Sequence, residues 1–96
     1  MMKDVLRLRE TTQHQLSEHY VGIGNILRRE LPDSNGVLAR RLSAELAIYN
    51  DSTKEDRDEI VMVGTIVSIG ADRYCVVDLE EDPNSRGWVS LRKLAP

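Results

Sequence analysis

YVGIGNILRRELPDSNG, residues 20–36, decides how the first half of the chain is read. Upstream of its end, Val5, Leu8, Thr12, Leu16, Tyr20, Ile23 and Leu27 recur at spacings of three and four, which predicts one helical face over residues 3–31. Gly22 and Gly24 each cost about 1 kcal/mol relative to Ala inside a helix and mark a kink, a break or a close neighbour. LPDSNG (31–36) then reads as a stop and a restart: Pro32 disfavours helical geometry at Leu31, and Asp33 or Ser34 can cap the next helix. That second helix is expected from Asn35 to Tyr49, with Leu38, Leu42, Leu46 (or Glu45) and Tyr49 on one stripe. Short connections make consecutive helices antiparallel neighbours. Residues 1–50 are therefore expected to form a coiled-coil-like helical hairpin with its tip at 31–36.

Beyond Tyr49 the pattern changes. Residues 51–58 are a polar connector, in which Ser52 and Glu55 match a capping box. Residues 59–96 read as a small antiparallel β module. EIVMVGTIVSIG is rich in β-branched residues and is either one buried strand or two short strands hinged at Gly64. Gly70–Asp72 is a tight-turn candidate, 73–79 a second strand, and DPNSRG a loop with Pro83, Asn84 and Gly87 as turn formers. WVSL (88–91) is a third strand, and RKLAP reads as a helix start or a one-turn stop. Helices followed by a sheet or partial barrel give the expected class α+β.

Composition narrows function. The chain has 96 residues, one cysteine and a net charge of −3. That length buries only roughly 60–65% of the unfolded surface, so a partner or a homodimer is plausible. Residues 1–50 carry seven Lys/Arg against six Asp/Glu, and residues 51–96 carry six against ten. A binder of nucleic acid needs a basic face and a high pI. With a pI near 5.3, direct nucleic-acid binding is not expected, although Arg28, Arg29, Arg40 and Arg41 form a local basic set. No apolar run approaches the ~20 residues that span a bilayer. The start, MMKDVLRLRE, carries charges where a signal peptide needs its apolar centre. One cysteine allows no internal disulfide, so a cytoplasmic location is expected.

Catalytic constellations are weak. His14 and His19 stand five apart, whereas a helical metal pair needs three or four, and they read as exposed helix residues. Cys75 lies in an apolar strand, where a thiol is usually buried and inert. GIGNILRR lacks the preceding strand that a phosphate-binding glycine loop requires. No Ser/His/Asp set is visible, so neither catalysis, a metal nor a cofactor is expected. Glu30 and Asp33 at the hairpin tip are ordinary solvated residues or chelators of a partner's metal. The acidic clusters 51–59 and 78–82 are solvated loops or surfaces that dock on a basic partner. Trp88 is more often a core anchor than an exposed hot spot in so small a sheet.

Two segments, LSAELAIYNDSTKEDRDEIVMVGTIVSI (42–69) and YCVVDLEEDPNSRGWVSLRKLAP (74–96), together resemble the Gre/Rnk group of RNA polymerase-binding factors. The first resembles the passage from a second coiled-coil helix through an acidic connector to a strand, and the second resembles the hairpin after that strand. The resemblance implies binding at the polymerase secondary channel, with Glu30 and Asp33 at the places of the acidic coil tip. VGTIVSIGADRYCVVDLEEDPNSRGWVSLRKLAP also resembles the end of a small Tudor/KOW-type barrel.

The functional expectation is a non-catalytic regulator that binds a large protein machine, with bacterial RNA polymerase the named candidate. The alternatives are a small acidic phage-type inhibitor or adaptor that imitates nucleic-acid charge, and an assembly subunit of a larger complex. Candidate contact residues are Glu30, Asp33, Asp78, Glu80, Glu81, Asp82 and Trp88.

Overall fold

A computed structural model describes residues 5–82 and 84–95. Lys3 and Asp4 of the expected first helix, the turn former Pro83 and the last residue of RKLAP lie outside the described residues. The described residues contain eight strands and no helix: β1 (Val5–Arg9), β2 (Gln13–Leu16), β3 (His19–Pro32), β4 (Leu38–Asn50), β5 (Glu55–Val61), β6 (Ile66–Ile69), β7 (Asp72–Glu80) and β8 (Trp88–Lys93). The protein is all-β, which overturns both the α+β class and the coiled-coil hairpin expected for residues 1–50.

Period explains the reversal. A spacing of four keeps residues on one face of a helix, but it is also an even number and keeps them on one face of a strand. Leu42, Leu46 and Asn50 satisfy both templates. What separates them is the alternation Ala44, Leu46, Ile48, Asn50, all buried, with half-buried Glu45, Ala47 and Tyr49 between. Val21, Ile23 and Ile26 supply the matching row across β3. The turn between them closes on Asp33, whose N–H donates to the Val37 carbonyl at 3.0 Å. The expected helix start at RKLAP is also strand: β8 runs on to Lys93, and the Leu94 N–H donates to the Arg73 carbonyl.

The strands form two four-stranded antiparallel sheets, ordered β1-β8-β7-β6 and β2-β3-β4-β5. The sheets are joined at two corners where the chain bends from one into the other. At the first, β1 passes into β2, and Thr11 and Thr12 exchange backbone hydrogen bonds with Ile23 at 2.7 and 2.9 Å. At the second, β5 passes into β6, Gly64 adopts a φ of +97°, and Gly64 and Thr65 bond Val76 at 2.8 and 2.9 Å. The expected hinge at Gly64 is thus present, as is the tight turn at Gly70. Within each sheet the strands next to each other in sequence are paired, β8 returns to β1, and both sheets contribute to one core, as in sheets joined where the chain bends from one to the other. That core is aliphatic: Val21, Leu46, Ile48, Val61, Val76, Val89 and Leu91 are completely buried, with Leu8 and Tyr74 close behind.

Glu10 secures the first corner. Its carboxylate accepts the Ile26 N–H through Oε2 and the Gly87 N–H through Oε1, both at 2.9 Å, and its own N–H donates to the Gly87 carbonyl. The Ile26 bond lies just after a bulge between Ile23 and Ile26 that shifts the β3–β4 register.

Candidate functional site

One element is not covered by the barrel. β2 pairs with β3 only as far as Gly22, and β5 pairs with β4 only from Ala44 onward. From Leu27↔Ser43 to Pro32↔Leu38, β3 and β4 therefore pair with each other alone. The result is a two-stranded arm with both outer edges open, carrying Val37 and Leu38, each 59% exposed, at its tip.

Two of the arm's four arginines are spent inside it. Arg29 donates to Ser43 Oγ at 2.6 Å and to Glu45 Oε2 at 2.8 Å. Arg41 donates to the carbonyls of Leu31 and Val37 at 3.0 and 3.1 Å and lies 3.7 Å from Asp33. Arg28 reaches no nearer than 4.0 Å to Glu81 and is half-exposed, and Arg40 forms no ion pair among the described residues.

Glu30 and Asp33 do share the arm, on different terms. Glu30 is exposed on β3 opposite Arg40. Asp33 closes the tip, its Oδ1 accepting the N–H groups of Asn35 at 2.8 Å and Val37 at 2.9 Å. Those two backbone bonds, Val37 first, hold its carboxyl below the usual value of 3.8, with Arg41 adding to them. Asp33 is thus an acceptor committed to the turn rather than a free tip acid.

Trp88 and the acids of 78–82 gather elsewhere, on the outer face of the β1-β8-β7-β6 sheet and the loop beside it. Trp88 is half-buried outside the core: Arg7 lies 4.2 Å from its ring centroid and Arg9 5.4 Å. Such cation–π contacts contribute about 0.5–1 kcal/mol each at exposed positions. Glu80, the cross-strand neighbour of Trp88, receives a two-pronged bond from Arg7 at 2.9 and 3.0 Å. Asp82 accepts the Asn84 N–H at 3.0 Å, and Asp78 is exposed opposite Ser90. Cys75 lies half-buried on the same outer face, not in the core. No sequence motif announces this cluster, because Arg7 and Arg9 reach Trp88 only through the pairing of β1 with β8.

The second acidic group is freer. Asp51, Asp56 and Asp58 are exposed along the β4–β5 turn and β5 and form no ion pair among the described residues. They border two open clefts. One, of about 400 Å³, is lined by Tyr49, Asn50, Asp51, Lys54, Glu55 and Asp56. The other, of about 350 Å³, is lined by Gly24, Glu45, Ala47, Asp58, Glu59 and Ile60.

The histidines are strand residues, which corrects the helical reading. His14 bonds Thr12 Oγ1 at 2.7 Å, while His19 is buried and its Nε2 meets Glu55 Oε1 at 2.9 Å. His19 packs beneath Gly70, where a Cβ would stand 3.2 Å from the ring. Glu55 also receives Arg57 at 2.9 Å. The His19 bond first and Arg57 second hold the Glu55 carboxyl below its ordinary 4.5. A depressed carboxyl adds stability that is complete above the unfolded value and is lost as pH falls through the folded one. The urea midpoint is therefore expected to drop as pH falls below about 4.5. Glu55→Gln should flatten that part of the profile, leaving the share due to Asp33 at lower pH. An unchanged profile in Glu55→Gln would show that this contact does not shape the acid response.

No protein-family model, curated protein or solved structure matches the chain.

Proposed function

We propose that the chain is a non-catalytic protein-binding module that engages a larger protein assembly through its β3–β4 arm. One observation carries this reading: residues 27–32 and 38–43 pair only with each other, leaving two open strand edges beside an exposed apolar tip. An open edge offers a row of backbone donors and acceptors, and strand addition to such an edge is a common way of binding an extended segment. Bacterial RNA polymerase, which the Gre/Rnk resemblance names, is the first assembly to test, although docking by a coiled coil forms no part of the proposal. Replacing residues 30–40 by a two-residue Asn-Gly turn would join Arg29 to Arg41 and leave the barrel intact. The expected result is an unchanged thermal transition together with loss of retention on immobilised core polymerase. Equal retention of the shortened and intact chains would refute the role of the arm. No retention of the intact chain at low salt would exclude polymerase as the assembly.

A second reading is supported by Asp51, Asp56 and Asp58, whose carboxylates are free to imitate phosphate charge toward a basic protein surface. It predicts an association that weakens steeply with salt and with Asp56→Asn/Asp58→Asn. The acids at 80–82 support it less, since Glu80 is held by Arg7 and Asp82 by its own turn.

A further inference from the structure

We infer that the open β3 edge of the arm pairs antiparallel with the same edge of a second copy, through the self-complementary segment Leu27-Arg28-Arg29-Glu30-Leu31. This pairing rests on the arm acting as a strand-adding element, and it commits one edge to self-association while leaving the other edge and the tip for a different partner. Ile26 turns its N–H away from β4 and toward Glu10. Backbone groups alternate along a strand, so Arg28 and Glu30 present their N–H and C=O groups to the same open side. An antiparallel second copy centred on Arg29 sets Arg28 opposite Glu30 and Glu30 opposite Arg28. Each N–H then finds the facing carbonyl, and each guanidinium faces a carboxylate. In the same register Leu27 meets Leu31 across the junction, and Leu27 is 38% exposed in the single chain. The one like-charged meeting is Arg29 with Arg29, and each is already neutralised by Glu45 at 2.8 Å.

The β4 edge lacks this complementarity. Its residues 38–43 read Leu-Ala-Arg-Arg-Leu-Ser, and pairing with itself sets Arg40 against Arg40 when centred on Arg40, or Arg41 against Arg41 when centred on Arg41. Like charges directly opposite disfavour a strand pair. The β3 edge is also bounded, by the Glu10 carboxylate at Ile26 and by Pro32, which has no N–H to offer. A bounded, isologous contact closes as a two-fold dimer instead of growing into a fibre.

So short a junction gives a weak dimer, to be read by sedimentation equilibrium from about 10 µM to about 1 mM at low salt. Arg28→Glu and Glu30→Arg should each weaken dimerisation about tenfold. The double exchange Arg28→Glu/Glu30→Arg should recover it to within about threefold, because the two charges simply change places. Amide exchange at Arg28 and Glu30 in the unaltered protein should slow as its concentration rises, a readout that needs no variant. A monomer over the whole range, a dimer indifferent to either single reversal, or a double variant no better than the singles would overturn the inference. An intact chain that stays monomeric but loses its partner when the arm is shortened sinks the self-pairing alone. A dimer whose partner ignores the arm sinks the proposed function alone.

Discussion

Glu10→Ala is expected to lower stability by about 3–5 kcal/mol, read as a fall in the urea midpoint without a change in slope. The residue supplies a charged acceptor to two backbone N–H groups, those of Ile26 and Gly87, on opposite sides of the first corner. Both of those residues are buried, so water cannot replace the carboxylate without opening the corner. Hydrogen bonds to charged groups contribute about 1.5–3 kcal/mol each, and truncation forfeits two of them while orphaning two donors. Glu10→Gln keeps one acceptor oxygen and should lose roughly half as much. Gly87 packs so closely on the Glu80 carbonyl that an added Cβ would collide with it, so the backbone at this corner has little free space beside it. Amide exchange distinguishes a loss confined to the corner from a general loosening: Ile26 and Gly87 should lose protection before the centre of β4 does. Equal stability of Glu10→Ala and the parent protein would show that the corner is held by other bonds.

Leu46→Ala should cost about 2–5 kcal/mol, the range for a fully enclosed leucine whose cavity cannot collapse. Leu46 has no exposed surface and sits between β3 and β5, opposite Ile23 and Glu59 in the ladder. Strands fixed on both sides cannot close over the gap. A chain of this length has only about 5–14 kcal/mol in total, so the variant should be close to unfolding at physiological temperature. Leu42→Ala, at a half-buried position at the base of the arm, should cost about 1 kcal/mol and serves as the comparison. Calorimetry on the two variants decides it, and equal losses would mean that the core is not centred on β4.

The second half of the chain could be read from its residues because its strands are short, β-branched and punctuated by glycine. Gly64 and Gly70 fall at a corner and a turn, and residues 73–79 lie within β7. The first half could not. Its leucines stand four apart, β3 and β4 run to 14 and 13 residues against the usual five or six, and RRELP and VLARRLSAEL are rich in residues that favour helices. The contrary signals were Gly22 and Gly24 on β3 and the alternation in β4. Pairing of β3 with β4 along their whole length overrode local preference there. Of the candidate contacts, Glu30 and Asp33 do share one element, though a two-stranded β arm and not a coil. The Arg7–Trp88–Glu80 cluster was illegible because pairing of the first and last strands exists in no local window.

That pairing also sets an order of events. The β3–β4 hairpin closes a short loop through Asp33 and needs nothing from the rest of the chain to begin forming. By contrast, Val5 meets Arg92 and Leu8 meets Val89, contacts between the first and the last of the eight strands. Contacts between distant residues carry the largest chain-closure cost and dominate the folding barrier of β proteins. During synthesis β1 emerges before β8 and stays without its partner strand until β8 has left the ribosome. The interval before that final closure is when the chain is most open to misassembly, and a chaperone that shields β1 would act there.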